Sequence, residues 1–122
     1  MTDSNDKTEH YLKFTTTASK LNLDHMQALL NGAQNELDQN QWLYFIFDIS
    51  QASQIDADAI LSLQEINDDL LAKNGLLICV HESSEMMAMF EENQLLLLPT
   101  ESEAIEYIYM DQLEKQFLED SE

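Results

Sequence analysis

The sequence predicts an α/β domain: a mixed, mostly parallel sheet of four to five strands with helices mainly on one face. Three observations carry this. Trp42-Leu43-Tyr44-Phe45-Ile46-Phe47, Leu76-Leu77-Ile78-Cys79-Val80 and Leu95-Leu96-Leu97-Leu98 are short continuous apolar runs, as strands covered on both faces are. Between and after them, apolar residues recur at spacings of three and four, the period of a helix with one buried stripe. The connections are short, and strand-helix-strand units so joined cross over right-handedly into a parallel core.

In chain order, Tyr11-Leu12-Lys13-Phe14-Thr15-Thr16 is rich in aromatic and β-branched residues and reads as a first strand, an edge or antiparallel partner. A short second strand fits near Leu21. Leu23, Met26, Leu30, Ala33 and Leu37 form the stripe of a helix with Asn22 or Asp24 as N-cap. The strand at 42–47 follows, ending at Asp48. After the polar stretch 50–54, a helix begins near Asp56, with Ile60, Leu63, Ile66, Leu70 and Leu71 as its stripe. Asn74-Gly75 stops it, the glycine serving as C-cap. Ser83-Ser84-Glu85 opens a short helix carrying Met86, Met87 and Phe90 after the second buried strand. Thr100 and Glu103 have the spacing of a capping box for a last helix, with stripe Ile105, Tyr109, Leu113 and Phe117 and Ile108 beside it.

At 122 residues and 44% hydrophobic, the chain suits one domain, read here as 10–118 with polar, disordered tails at 1–9 and 119–122. Its 24 acidic and 5 basic residues give a formal net charge of −19. That excess opposes binding to nucleic-acid phosphates and to anionic membranes. It favours fast, salt-sensitive encounter with a basic protein. Cys79 is the single cysteine, no apolar stretch is long enough to span a bilayer, and residues 1–10 lack a signal-peptide core. A cytoplasmic setting without cofactor or metal is the expectation.

Tyr44-Phe45-Ile46-Phe47-Asp48-Ile49-Ser50 followed by Ile55-Asp56-Ala57-Asp58-Ala59-Ile60 resembles the STAS family, the domain of sulphate transporters and anti-sigma-factor antagonists. Asn74-Gly75-Leu76-Leu77-Ile78-Cys79-Val80 and Pro99-Thr100-Glu101-Ser102-Glu103-Ala104-Ile105 extend the resemblance, which covers about Tyr11 to Tyr109. In stand-alone members the domain docks on an anti-sigma factor, often a serine kinase, which ends docking by phosphorylating the second Ser of Asp-Ser-Ser-Gly. Carried over, Asp56 matches the Asp, Ala57 the first Ser, Asp58 the phosphorylated Ser and Ala59 the Gly. The family's hydroxyl switch is therefore missing here. A phosphoserine carries about −1.5 to −2 charges and three acceptor oxygens, against about one charge and two oxygens for Asp58. Either the domain is held in a phosphorylated-like state, or its partner is adapted to Asp and no switch exists. The second is preferred, because one charge imitates two poorly.

The resemblance implies a binding module that catalyses nothing, docking through Ser53, Gln54, Asp56, Ala57, Asp58 and Leu61 onto an anti-sigma factor or kinase-like regulator. The alternative is a STAS-type accessory subunit of a transporter or other complex. The bland readings of Asp56 and Asp58 are a helix cap and a solvated first-turn acid. Asp48, Asp56 and Asp58 do not make a phosphate-accepting receiver site, since the lysine after its late strand is absent and Leu98 precedes Pro99. Nor do they have calcium-loop spacing. His10, His25 and His81 are scattered, and no Gly-rich phosphate loop or nucleophile elbow occurs. The Met86, Met87, Met89 and Phe90 cluster reads first as packing and second as an adaptable contact surface. Tyr107, Tyr109 and Met110 either pack or mediate a homodimer.

Overall fold

The computed structural model describes residues 4–7, 11–17, 19–22, 24, 27, 31–32, 35 and 44–120, with side chains from residue 11 to residue 115 of that set. The strands are β1 (Ser4–Lys7), β2 (Leu12–Thr15), β3 (Lys20–Leu21), β4 (Tyr44–Asp48), β5 (Gln54–Ile55), β6 (Leu76–Val80) and β7 (Leu96–Leu98). The helices with described bounds are α1 (Ala57–Ala72), α2 (Ser84–Glu92) and α3 (Glu101–Asp120). Asp24, Gln27, Asn31, Gly32 and Asn35 are also helical.

The main sheet has the order β1-β2-β4-β6-β7, and β3 pairs with β5 in a separate two-stranded ladder. All neighbours are parallel except β1 and β2. Strand alternation splits the apolar runs between two cores. Phe45, Phe47, Leu77, Cys79 and Leu97 meet Ala59, Leu63, Leu70 and Phe90 of α1 and α2. Tyr44, Ile46, Ile78 and Val80 meet Ala104 and Ile108 of α3 on the other face. This two-sided burial is why β4 and β6 read as unbroken apolar runs. The Phe14 ring sits edge-on to Phe45 and Phe47, with centroids 5.9 and 5.0 Å away, fixing β2 beside β4.

Several sequence expectations are corrected. Ser4–Lys7, expected in a disordered tail, forms β1 antiparallel to β2, which is thereby an interior strand. At the other end α3 runs on through Glu119 and Asp120. Leu71 is 51% exposed, while Asn67, outside the expected stripe, is buried and accepts the Leu77 backbone N–H at 3.2 Å. Asp24 is itself helical, so it is not an N-cap. The stripe expected from Leu23 to Leu37, like Trp42 and Leu43, lies outside the described residues.

On α3, Ala104 and Ile108 are the buried positions, while Tyr109 and Leu113 of the expected stripe face outward. Tyr109 follows Ile108 by one residue, about 100° round the helix, so both cannot face the sheet. The Phe117 side chain is outside the described set.

The C-cap assignment is also corrected. Asn74, with φ 66°, holds the left-handed position, and neither glycine has a positive φ. Gly75 N–H donates to the Leu70 carbonyl at 2.7 Å and Asn74 N–H to Leu71 at 3.1 Å, a Schellman ending with Asn in glycine's usual place. The same pattern ends α2, where Gln94 has φ 59° and Leu95 N–H donates to the Phe90 carbonyl at 2.9 Å. The N-caps follow expectation. Ser83 Oγ accepts from Met86 N–H at 3.3 Å, and Thr100 Oγ1 accepts from Glu103 N–H at 3.2 Å. Among the described residues no helix is long and apolar enough to cross a membrane.

Candidate docking site at the start of α1

Parallel sheets open a crevice beyond the carboxyl ends of their strands. Here that edge is occupied by the segment from Asp48 to Leu61. Asp48 Oδ1 accepts Ser50 N–H at 3.0 Å, turning the chain as it leaves β4. Ser53 N–H, Ser53 Oγ and Gln54 N–H all donate to the Ser19 carbonyl, at 2.7, 3.0 and 3.3 Å. Asp56 N–H donates to the Leu21 carbonyl at 2.8 Å. The β3–β5 ladder thus straps the loop down and sets where α1 begins.

Asp56 is the N-cap residue, with φ −79° and ψ 154°, but its carboxylate makes no capping hydrogen bond. Its carbonyl begins the helix by accepting Ile60 N–H at 3.1 Å. Asp58 stands in the first turn, where free N–H groups and the dipole favour an acid by roughly 0.3–1 kcal/mol. Asp56, Ala57 and Asp58 are exposed, while Ala59 and Ile60 anchor the turn in the core. Leu61 is 56% exposed, one turn from Asp58 on the outer side of α1. Ser62 Oγ is turned back to the Asp58 carbonyl at 3.2 Å.

His81 joins this segment to α2. Ser83 N–H can only donate, so at 2.9 Å it makes His81 Nδ1 the acceptor. The ring proton is then on Nε2, which donates to the Ala52 carbonyl. The imidazole is buried, and both nitrogens are engaged in this neutral tautomer. Between the loop and α2 lies an open groove of about 590 Å³, bordered by Ser53, Gln54, Asp56, Glu85, Met86 and Met89.

The six residues singled out in the sequence all reach this surface. Ser53, Gln54 and Asp56 border the groove, and Ala57, Asp58 and Leu61 continue from it along α1. Sequence reasoning does not place His81 and Glu85 at this groove. The available signal was the position of His81 immediately after a parallel strand, where crevices form. The methionines pack, as their first reading has it: Met86 is buried and Met87 and Met89 rest on the core, with Met86 and Met89 also at the border of the groove. Cys79 takes no part. It is fully buried, and burial pushes its thiol pKa far up. Among the described residues, no three His, Cys, Asp or Glu side chains are grouped to hold a metal ion.

Neither a family model nor a curated protein sequence matches the chain. Solved structures do match it. The anti-sigma factor antagonist SpoIIAA in its unphosphorylated form has TM-score 0.73 at 16% identity, over 88% of this chain and 98% of that one. SpoIIAA, a Bacillus cell fate determinant, in the phosphorylated form gives 0.72 at 17%, over 88% and 99%. An anti-sigma factor antagonist from Mycobacterium paratuberculosis gives 0.73 at 12%, over 88% and 93%. Identities this low speak to the backbone alone, and on that ground the chain has the mixed α/β fold of the anti-sigma factor antagonists.

Proposed function

We propose that this protein is a docking module of the anti-sigma-factor-antagonist kind, which regulates a partner by binding it and catalyses no reaction. The partner is an anti-sigma factor or a kinase-like regulatory protein, met in the cytoplasm. The observation that carries this reading is the exposed start of α1, Asp56 to Asp58 with Leu61 beside it, held by hydrogen bonds to the Ser19 and Leu21 carbonyls in the fold those antagonists have. In this reading Asp58 takes the place of the phosphorylated serine that such a protein would carry. SpoIIAA has been solved in both phosphorylation states, whereas a carboxylate at this turn is permanent. In the proposal the partner is adapted to Asp58, and binding is not switched there. Leu61, apolar and exposed with Asp58 and Glu65 a turn to either side, is the expected centre of the contact.

Affinity capture from an extract of the producing cell, followed by titration of the captured partner, tests this. Leu61→Asp should weaken binding by about tenfold or more, with the helical signal unchanged. Asp58→Ser should weaken it too; a large gain would instead mean a domain held in a phosphorylated-like state. Capture of a transporter ATPase through the same turn would replace the anti-sigma partner with the transporter-subunit reading. Undiminished binding by Leu61→Asp would remove this surface from the function.

A further inference from the structure

We propose that the outer face of α3 is a second docking surface, which takes a basic amphipathic helix of a partner protein. It lies across the sheet from α1 and does not depend on the reading above. Tyr107, Tyr109, Met110 and Leu113 are 43%, 44%, 67% and 60% exposed, four large apolar side chains within two turns. Tyr107, Met110 and Leu113 recur at intervals of three, forming a slanting ridge along the outer half of the helix. Tyr107, Met110, Asp111, Leu113 and Glu114 border a groove of about 550 Å³ there.

Among the described residues, the side of α3 toward the sheet is already occupied. Ala104 and Ile108 are buried, and Asp111 and Lys115 bond to each other at 2.9 Å and to Tyr44. The ridge is therefore held in place before anything binds, which lowers the ordering cost of association.

Charge selects the occupant. Glu103, Glu106 and Glu114 are exposed and interleave with the ridge on the outer side of α3. The lysine of this helix, Lys115, is turned inward to Asp111, Tyr44 and the Asn74 carbonyl. A second copy would set these same three acids against themselves, between chains that each carry −19. Leucines or similar residues on one face and lysines or arginines on the other would satisfy both the ridge and the acids.

The test uses the full chain and a synthetic peptide with leucines at helical spacing and lysines elsewhere. Its control is a peptide of the same composition in scrambled order. We expect the amphipathic peptide to shift backbone amide resonances on α3, centred on 106–114, and to bind about tenfold tighter than the scrambled one. The doubly substituted Met110→Ser, Leu113→Ser chain should lose about tenfold. Replacing Glu103, Glu106 and Glu114 by Gln should flatten the salt dependence. Leu61→Asp should leave this binding unchanged, which separates the surface from the α1 site. Equal binding of the scrambled peptide, no binding, or shifts centred on α1 would overturn the proposal. So would a monomer–dimer equilibrium abolished by Met110→Ser, Leu113→Ser, since the face would then belong to a second copy.

Discussion

Tyr44 begins the apolar run of β4, yet its hydroxyl donates to Asp111 of α3 at 2.6 Å, and Lys115 donates to the same hydroxyl at 3.1 Å. Burial raises the Tyr44 pKa, with the Asp111 hydrogen bond adding to it. For Asp111, burial acts upward, but the hydrogen bonds from Tyr44 and Lys115 and the Lys115 charge outweigh it and hold the carboxyl below its usual range. A depressed folded pKa means the unfolded chain takes up the proton first. The stabilisation is therefore complete above about pH 4 and is lost as the pH falls through the folded value. Asp111→Asn should cost about 1–2 kcal/mol near neutrality. The gap to wild type should shrink by about pH 3, as urea unfolding at both pH values would show. A gap equally wide at pH 3 would mean that packing, not charge, is what Asp111 supplies. Side chains of this kind are poorly legible in sequence, because Tyr44 and Asp111 are far apart along the chain and their meeting depends on the tertiary fold. The same holds for His81 and the Ala52 carbonyl. Asp56 and Asp58 were legible because a helix start is a local event, announced by an acid before an apolar period.

Helix endings show how far local signals reach. Asn74-Gly75 correctly marked the end of α1, yet Asn took the left-handed residue and Gly75 the one after. Asparagine enters that region more readily than most L-residues, so the exchange is a mild one. Gln94, ending α2 in the same conformation, has no such excuse. Gln94→Gly should stabilise the protein by about 0.5–1 kcal/mol, the relief of left-handed strain less the added freedom of the unfolded chain. Asn74→Gly should gain less. Chemical denaturation of the two variants checks the ordering, and a larger gain at Asn74 would overturn it. β1 escaped notice for a related reason: Ser4-Asn5-Asp6-Lys7 has no apolar period, and only its pairing with β2 makes it a strand. On α3 the apolar residues outnumber the positions that face the sheet. Periodicity alone could not tell the buried Ala104 and Ile108 from the outward Tyr109 and Leu113.

Across the whole molecule, the layered order of strands and helices was legible because both faces of the sheet are covered, which writes unbroken apolar runs into β4 and β6. The charge was legible too, but its consequences divide. Among the described residues, Lys13 and Lys115 are tied to Glu101 and Asp111 at 2.8 and 2.9 Å, and with 24 acids against five lysines a large acidic surplus remains. Such a surplus repels itself in the folded state and attracts basic partners. Salt weakens both effects, since the screening length falls to about 8 Å at physiological ionic strength. The melting temperature should therefore rise by several degrees from low to moderate NaCl, the shift that about 1 kcal/mol produces in a domain of this size. Over the same interval, affinity for a basic partner should fall. The opposite signs are diagnostic, because a general salting effect on burial would strengthen folding and apolar contact together. A melting temperature that falls with salt would mean the Lys13–Glu101 and Asp111–Lys115 pairs outweigh the surplus. The acidity would then be holding the domain together instead of preparing it for an encounter.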